Sequence, residues 1–342
     1  MQAKSMFSKR VVLAMAALNL VASAVQAQER VDGVIQKRGF FGQSLSPDEF
    51  EIIHGSEFKG AKKVAISVFN VAFPNENKYV ATTRGTSVLG AYGTSARASM
   101  STTMKGVDQA TQQRITDKAY ALFVEQLREA GYEVVDQAEL ARLAPEFGKW
   151  DALPNFSPGR FGAYVAPTGQ SVRFLTGDTA KRDTSGFMGQ QMSMFRALDK
   201  PLAYSRSPYI AHDGSIGIIA VTMVVDYGVY TSTGDSNRLG GSAKIAFKPG
   251  ATMAAGNNAD SGTLIEYWGP QSGGFPAVAY LQKPVYSDRA LGPLEDLAKD
   301  IESAQATVAV AVVADPKKFE VAADEVVGIA VPKLVGVMAA AK

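Results

Sequence analysis

Two near-continuous apolar runs, "KKVAISVFNVAFP" (Lys62–Pro74) and "GSIGIIAVTMVVDYGVYTST" (Gly214–Thr233), constrain this chain more than any other feature. Neither alternates over most of its length, so each predicts a strand covered on both faces by further layers. Asp226 is the single charge in the second run. It is expected where that strand emerges from cover, because alternation begins in "DYGVYTST". Between the runs, "VDQATQQRITDKAYALFVEQLREAGYEVV" places Ile115, Ala119, Leu122, Phe123, Leu127 and Ala130 at three-to-four spacing, the stripe of an amphipathic helix. Gly131 stands where a left-handed C-terminal residue belongs, "YEVV" opens a further strand, and Asp136 with Glu139 matches a capping box for a short helix. Strand, helix, strand and short helix in this order predict an α/β fold, with α+β as the alternative: a central mixed sheet, flanking helices, and long loop and β-hairpin insertions.

Later segments read less evenly. Residues 145–211 are rich in Pro and Gly, with a helix expected in "GFMGQQMSMFRAL" (Gly186–Leu198). "GGSAKIAFKPGATMAAG" and "GTLIEYWGPQSGGFPAVAYLQKPVY" predict antiparallel strands between Gly-rich turns. "GPLEDLAKDIESAQATVAVAVV" predicts a helix and then a strand, and Asp315–Pro316 caps a last helix with a kink at Pro332. Residues 61–342 therefore form a single α/β domain with insertions at 79–106, 145–211 and 234–285. Residues 28–60 form an N-terminal arm resting on it through Phe40, Phe41, Phe50, Ile52 and Ile53.

The first residues address the chain. Lys4, Lys9 and Arg10 precede the apolar "VVLAMAALNLVASA", and "VQA" (Val25–Ala27) has the small residues of a signal-peptidase site, so 1–27 reads as a removed signal peptide. The apolar run is shorter than the roughly 20 residues of a membrane anchor. The segment carries three of the 35 basic residues and none of the 33 acidic ones, so the remainder is close to neutral, without the basic footprint that nucleic acid requires. Export to the periplasm or outer-membrane periphery is expected, with secretion as the alternative, and no later stretch has the length of a membrane helix.

Most catalytic chemistries lack their residues. With no cysteine there is no disulfide, thiolate nucleophile or lipid-bearing cysteine, and with only His54 and His212 a His/Cys metal cage is not expected. Nucleotide-binding glycine loops and serine-hydrolase elbows are absent, so no metal and no cofactor is expected. One alternative catalytic pair remains, His212 beside Asp213, although a turn before the second apolar run explains both. The paired acids Glu295–Asp296 and Asp324–Glu325 read as solvated helix faces. "GNNADSG" (Gly256–Gly262) reads as a polar turn rather than a calcium loop.

The sharper candidate is Tyr79–Gly106. No acidic residue occurs from Asn77 through Val107, whereas Lys78, Arg84, Arg97 and Lys105 are basic. The stretch joins a strand to a helix, a connection that usually needs about two to six residues. Val88, Leu89, Tyr92 and Met100 argue against a plain tether. A β-hairpin turning near "GAYG" is expected, offering Arg84, Tyr92, Arg97 and Lys105 to an acidic partner or a neighbouring subunit. Trp268, Tyr267 and Tyr280, beside Gly/Pro turns, are further binding candidates if exposed, and core if buried. If 79–106 and 234–285 meet on one surface, that surface is the site.

The same residues carry a resemblance. "KKVAISVFNVAFP" as first strand, "ITDKAYALFVEQLREAGYEVVDQAELARL" as helix, strand and short helix, and "SIGIIAVTMVVDYGVYTS" as a later strand resemble the exported α/β envelope proteins that include CsgG, PelC and the N-terminal domain of TolB. The resemblance covers about half of the chain beyond the signal. It implies a non-enzymatic envelope component that assembles into a ring, although without cysteine the lipid anchor of the secretion lipoproteins is impossible here. The reading is thus an exported binding or assembly protein acting on an envelope protein, a polysaccharide or copies of itself, as a homo-oligomer. The alternatives are a periplasmic hydrolase using carboxylates or His212–Asp213, and a secreted matrix or fibre subunit.

Overall fold

A computed structural model describes residues 50–58, 60–83, 96–150, 152–158, 162–173, 202–237, 240–256, 262–271, 276–302 and 305–340. The chain divides into two units, residues 1–31 and 32–342, and the first lies wholly outside the described residues. So do the expected signal segment, Phe40 and Phe41 of the arm, the expected helix at 186–198, residues 257–261 of the polar turn, and the hairpin tip with Arg84, Val88, Leu89 and Tyr92.

The fold is α/β, with a ten-stranded mixed sheet and a four-stranded sheet. Strand β1 (Phe50–Ile53) pairs antiparallel with β11 (Ala277–Leu281), so the end of the arm becomes an edge strand, with Ile52 and Ile53 exposed. Central in the large sheet lie β2 (Lys63–Pro74) and β8 (Gly217–Asn237), the two apolar runs, paired in parallel. β2 is flanked in addition by β5 (Glu133–Val135) and β7 (Gly162–Val165), and β7 by β6 (Phe156–Pro158). On its other side β8 pairs with β10 (Leu264–Trp268), which pairs with β11. β10 and β11, inside the segment expected as an insertion, are thus strands of the central sheet.

Burial follows from this placement. Val64, Ile66, Phe69, Val71 and Phe73 of β2 share one face, which the register shift between Ile66 and Val68 makes possible by moving the alternation on by one residue. They pack with Ile115, Ala119, Phe123 and Leu127 of α1 (Gln109–Glu129) and with Phe319, Val326 and Ala330 of α4 (Pro316–Ala340). The opposite face, with Ala65 and Val68, meets Leu140 of α2 (Gln137–Leu143) and Ala211 of α3 (Leu202–Gly214), together with Phe147, Trp150 and Trp268. Helix ends obey the sequence: Asp136 Oδ1 accepts from Glu139 N at 2.8 Å, Asp315 Oδ1 from Lys317 N at 2.9 Å, and Gly131 has φ +83°. Asp108 caps α1 through Thr111 N at 2.8 Å.

Two expectations change. "LEDLAKDIE" is not helical but forms β13 (Leu294–Glu302), antiparallel to β14 (Gln305–Val313). Its three-to-four apolar spacing is overridden by a partner strand that supplies the whole backbone ladder. His212 and Asp213 belong to the last turn of α3 rather than to a turn before β8. α4 runs unbroken through Pro332.

The four-stranded sheet has the order β13, β14, β4 (Ala96–Lys105), β3 (Glu76–Thr83). β3 and β4 pair antiparallel from Glu76↔Thr103 to Thr83↔Ala96, as a hairpin over 79–106 requires. β4 lies parallel to β14, so two sequence-distant hairpins share one sheet.

Phe69, fully buried, sits 5.6 Å from the Phe123 ring across the sheet–helix layer. Phe69→Ala is expected to lower unfolding free energy by about 3–5 kcal/mol in chemical denaturation. Val321→Ala, at an exposed site of α4, should stay within ~0.5 kcal/mol.

Candidate functional site

The two sheets part where β2 ends. The chain turns at Asn75, whose carbonyl accepts from Met104 N at 2.8 Å, and runs straight into β3. β8 leaves β2 after Val224 but continues to Asn237, paired with β9 (Gly240–Met253), which also pairs with the short β12 (Val285–Tyr286). This long hairpin crosses the β3–β4 hairpin, and a cleft of about 360 Å³ opens at the junction. Pro74, Asn77 and Tyr79, residues of β8 from Val224 to Thr231, Ile245 and Thr252 of β9, and Pro284 line it. Residues of 79–106 and of 234–285 therefore do meet on one surface.

Asp226 forms part of the cleft wall. It is 8% exposed rather than emerging from cover, because β9 and β3 lie over the place where β8 leaves the sheet. Asn77 Nδ2 donates to Asp226 Oδ1 at 2.9 Å and to Oδ2 at 3.1 Å, and Tyr227 N donates to Oδ1 at 2.7 Å. No cation among the described residues pairs with it. Burial therefore pushes its carboxyl up to about 7, and the Tyr227 amide and Asn77 offset only part of that shift.

The register shift between Asp226 and Gly228 re-aims β8 beside this carboxylate. Gly228 is required there, since a Cβ would stand 2.2 Å from the Phe247 ring and 2.8 Å from Lys248 O.

Neutral groups complete the junction. Tyr79 stacks on Tyr230 with ring centroids 3.6 Å apart, and Tyr230 leans on Phe247 at 4.9 Å. Tyr227 OH donates to Thr102 O at 2.8 Å, and the Thr102 hydroxyl bonds both Tyr227 OH, at 2.9 Å, and Tyr230 OH. Burial first, then the nearby Asp226, raise the Tyr227 and Tyr230 phenols, so both stay neutral donors. These bonds fasten β4 to β8, while Asn77 and Tyr79 fasten β3 to it.

Most residues expected to bind lie elsewhere. Tyr267 and Trp268 are fully buried and Tyr280 nearly so, because β10 and β11 lie inside the central sheet, so these three are core. Arg97 is exposed on β4, and Lys105 Nζ stands 3.3 Å from Glu295 Oε2. Arg84 and Tyr92 fall outside the described residues. His212 Nδ1 and Asp213 Oδ1 are 3.2 Å apart, but their side chains are 78% and 80% exposed at the end of α3, away from the cleft. Asp324 pairs with Lys118 at 2.7 Å and Glu325 with Arg289 at 2.8 Å, which makes them structural surface pairs. Among the described residues, no three His, Asp or Glu gather as metal ligands, and no helix is long and apolar enough to cross a membrane. Sequence reasoning passed over Asp226 and Asn77. The available signal was one acid inside an otherwise apolar run.

No known protein family, curated protein or solved structure matches this chain.

The raised carboxyl sets a pH dependence. An aspartate holding its proton more tightly folded than unfolded contributes stability that is complete below about pH 4 and lost as pH rises through about 7. The titratable neighbours are Tyr79 on β3, Tyr227 and Tyr230 on β8, and Lys78 at the cleft rim. Asp226→Asn should therefore match the wild type near pH 4 and exceed it by on the order of 2–4 kcal/mol at pH 8. Thermal unfolding of both proteins across that range measures the difference.

Proposed function

We propose that this chain is an exported, non-enzymatic assembly protein of the cell envelope, whose copies join head to tail through the outer strands of the four-stranded sheet. The carrying observation is the chemistry of those two strands. β3 and β13 are the ends of the sheet, so each leaves a row of backbone donors and acceptors without a strand partner among the described residues. Such a row is a template for another strand. Tyr79 and Val80 on β3 are 40% and 46% exposed, and Leu294 and Leu297 on β13 are 46% and 50% exposed.

Charge gives the pairing its direction. β3 carries one acid and one base, Glu76 and Lys78, and the hairpin it opens has no further acid through Val107, whereas "LEDLAKDIE" of β13 has four acids and one lysine. Lys78 and Asp296 are exposed and make no ion pair among the described residues. Two acidic β13 edges repel each other, whereas β3 is balanced in charge and offers Lys78 to Asp296, which favours β3 against β13 over β13 against β13. Because the two edges differ, each copy keeps one free edge after joining. Such contacts close into rings, or grow as filaments if the rotation does not close. The signal-like N-terminus supports export, and the resemblance to ring-forming envelope proteins agrees with this reading. The filament outcome corresponds to the fibre-subunit alternative. A hydrolase built on His212–Asp213 has only two exposed, sequence-adjacent side chains to support it.

Sedimentation equilibrium of the full chain tests the reading. Defined oligomers are expected at low salt and should weaken as salt rises, since exposed charges are screened. Asp296→Lys should weaken association about tenfold or more, and adding Lys78→Asp in the same chain should recover it. A monomer at every concentration, or indifference to both reversals, would sink the proposal.

A further inference from the structure

The junction cleft holds a carboxyl that no cation among the described residues answers. Among the described residues, Asp226 is the only carboxylate lining it, and it is bonded by neutral donors alone. A carboxylate offers about four acceptor positions, of which Asn77 and Tyr227 take three. An ionised acid held this way, without a cation, is costly in a site shielded from water. The structure keeps it nevertheless, in a position that faces an open cavity.

We propose that the cleft binds a primary ammonium group carried on an aliphatic chain, with Asp226 as its counter-charge. Three features select this chemistry. A divalent metal requires several oxygen ligands, and one carboxylate does not supply them. A guanidinium prefers both carboxylate oxygens in one plane, and Asn77 Nδ2 already bridges the two. An ammonium is a compact charge that can use the single acceptor position left. Behind it, Val224, Val229, Ile245 and Pro284 form apolar wall for a stem of a few methylenes, and the 360 Å³ cavity is of ligand size. Lys78 of β3 also lines the cleft, next to Asn77, but it makes no ion pair with Asp226 among the described residues. It leaves the demand for a cation in place.

The ligand group occurs on free alkylamines and on lysine side chains of other chains, and the two sources are separable. Calorimetry of the full chain at pH 8 uses n-pentylamine, n-pentanol as its uncharged counterpart, and a lysine blocked at both backbone ends. Saturable n-pentylamine binding is expected, at least about tenfold tighter than n-pentanol. It should be lost in Asp226→Asn, whose folding is checked by its thermal transition, and should fall as pH drops below about 7. Val229→Trp, which fills the cleft while keeping Asp226, should abolish binding too. If the blocked lysine binds as tightly as the amine, the site takes a side chain from another protein; if it binds at least tenfold more weakly, the site takes a free amine. Equal binding of pentylamine and pentanol, retention in Asp226→Asn, or no binding by the wild type would overturn the proposal.

Discussion

The parallel ladder between β2 and β8, running from Val64↔Gly217 to Ala72↔Val224, decides where every other part of the molecule goes. Two strands buried on both faces must have layers above and below, and α1 with α4 and α2 with α3 supply them. β2 stops at Pro74, but β8 does not stop with it. Once β8 outruns its partner it needs another, and it finds one in β9. That continuation carries a β-hairpin out of the central sheet and across β3 and β4. The second sheet, the cleft and Asp226 all follow from this difference in length.

At the crossing, polarity replaces packing. The central sheet is held by apolar side chains, while the crossing is held by Asn77, Thr102 and three tyrosines arranged around one carboxylate. The arrangement is specific, since Gly228 admits no side chain and Asp226 is surrounded by neutral donors. It is not the cheapest way to join two sheets, because an apolar residue at Asp226 would avoid the cost of a buried charge. Retaining an acid there makes sense if something outside the chain meets it. The same β3 that holds Asn77 and Tyr79 against Asp226 is the exposed edge through which copies are proposed to join. The cleft and the edge are therefore two sides of one strand.

Much of the fold was legible because its signals are local. The apolar runs of β2 and β8, the stripe of α1, the cap residues Asp136 and Asp315, and Gly131 each act within a few residues of themselves. The hairpin over 79–106 was legible because its length exceeded what a connection needs. β13 was not, since "LEDLAKDIE" has helical spacing and becomes a strand only where β14 lies beside it. Trp268, Tyr267 and Tyr280 misled for a related reason: adjacent Gly and Pro suggest exposure, but neighbouring strands bury all three. The meeting of 79–106 with 234–285 was the expected mark of the site, but Asp226 and Asn77 eluded sequence because the members of the site come from β3, β4, β8 and β9, and a contact such as Asn77–Asp226 spans 149 positions. The lone acid in an apolar run was the local hint of its chemistry.

Head-to-tail assembly requires that β3 of one copy meet β13 of the next. The chain has no cysteine, so engineered thiols report without background. Val80→Cys and Leu297→Cys mark the two edges at exposed positions, and a short bismaleimide links thiols that come close without demanding one strand register. The double variant should give a ladder of covalent multimers on a denaturing gel, with each single variant staying monomeric. A double variant that remains monomeric, or single variants that cross-link as well as the double, would contradict head-to-tail assembly.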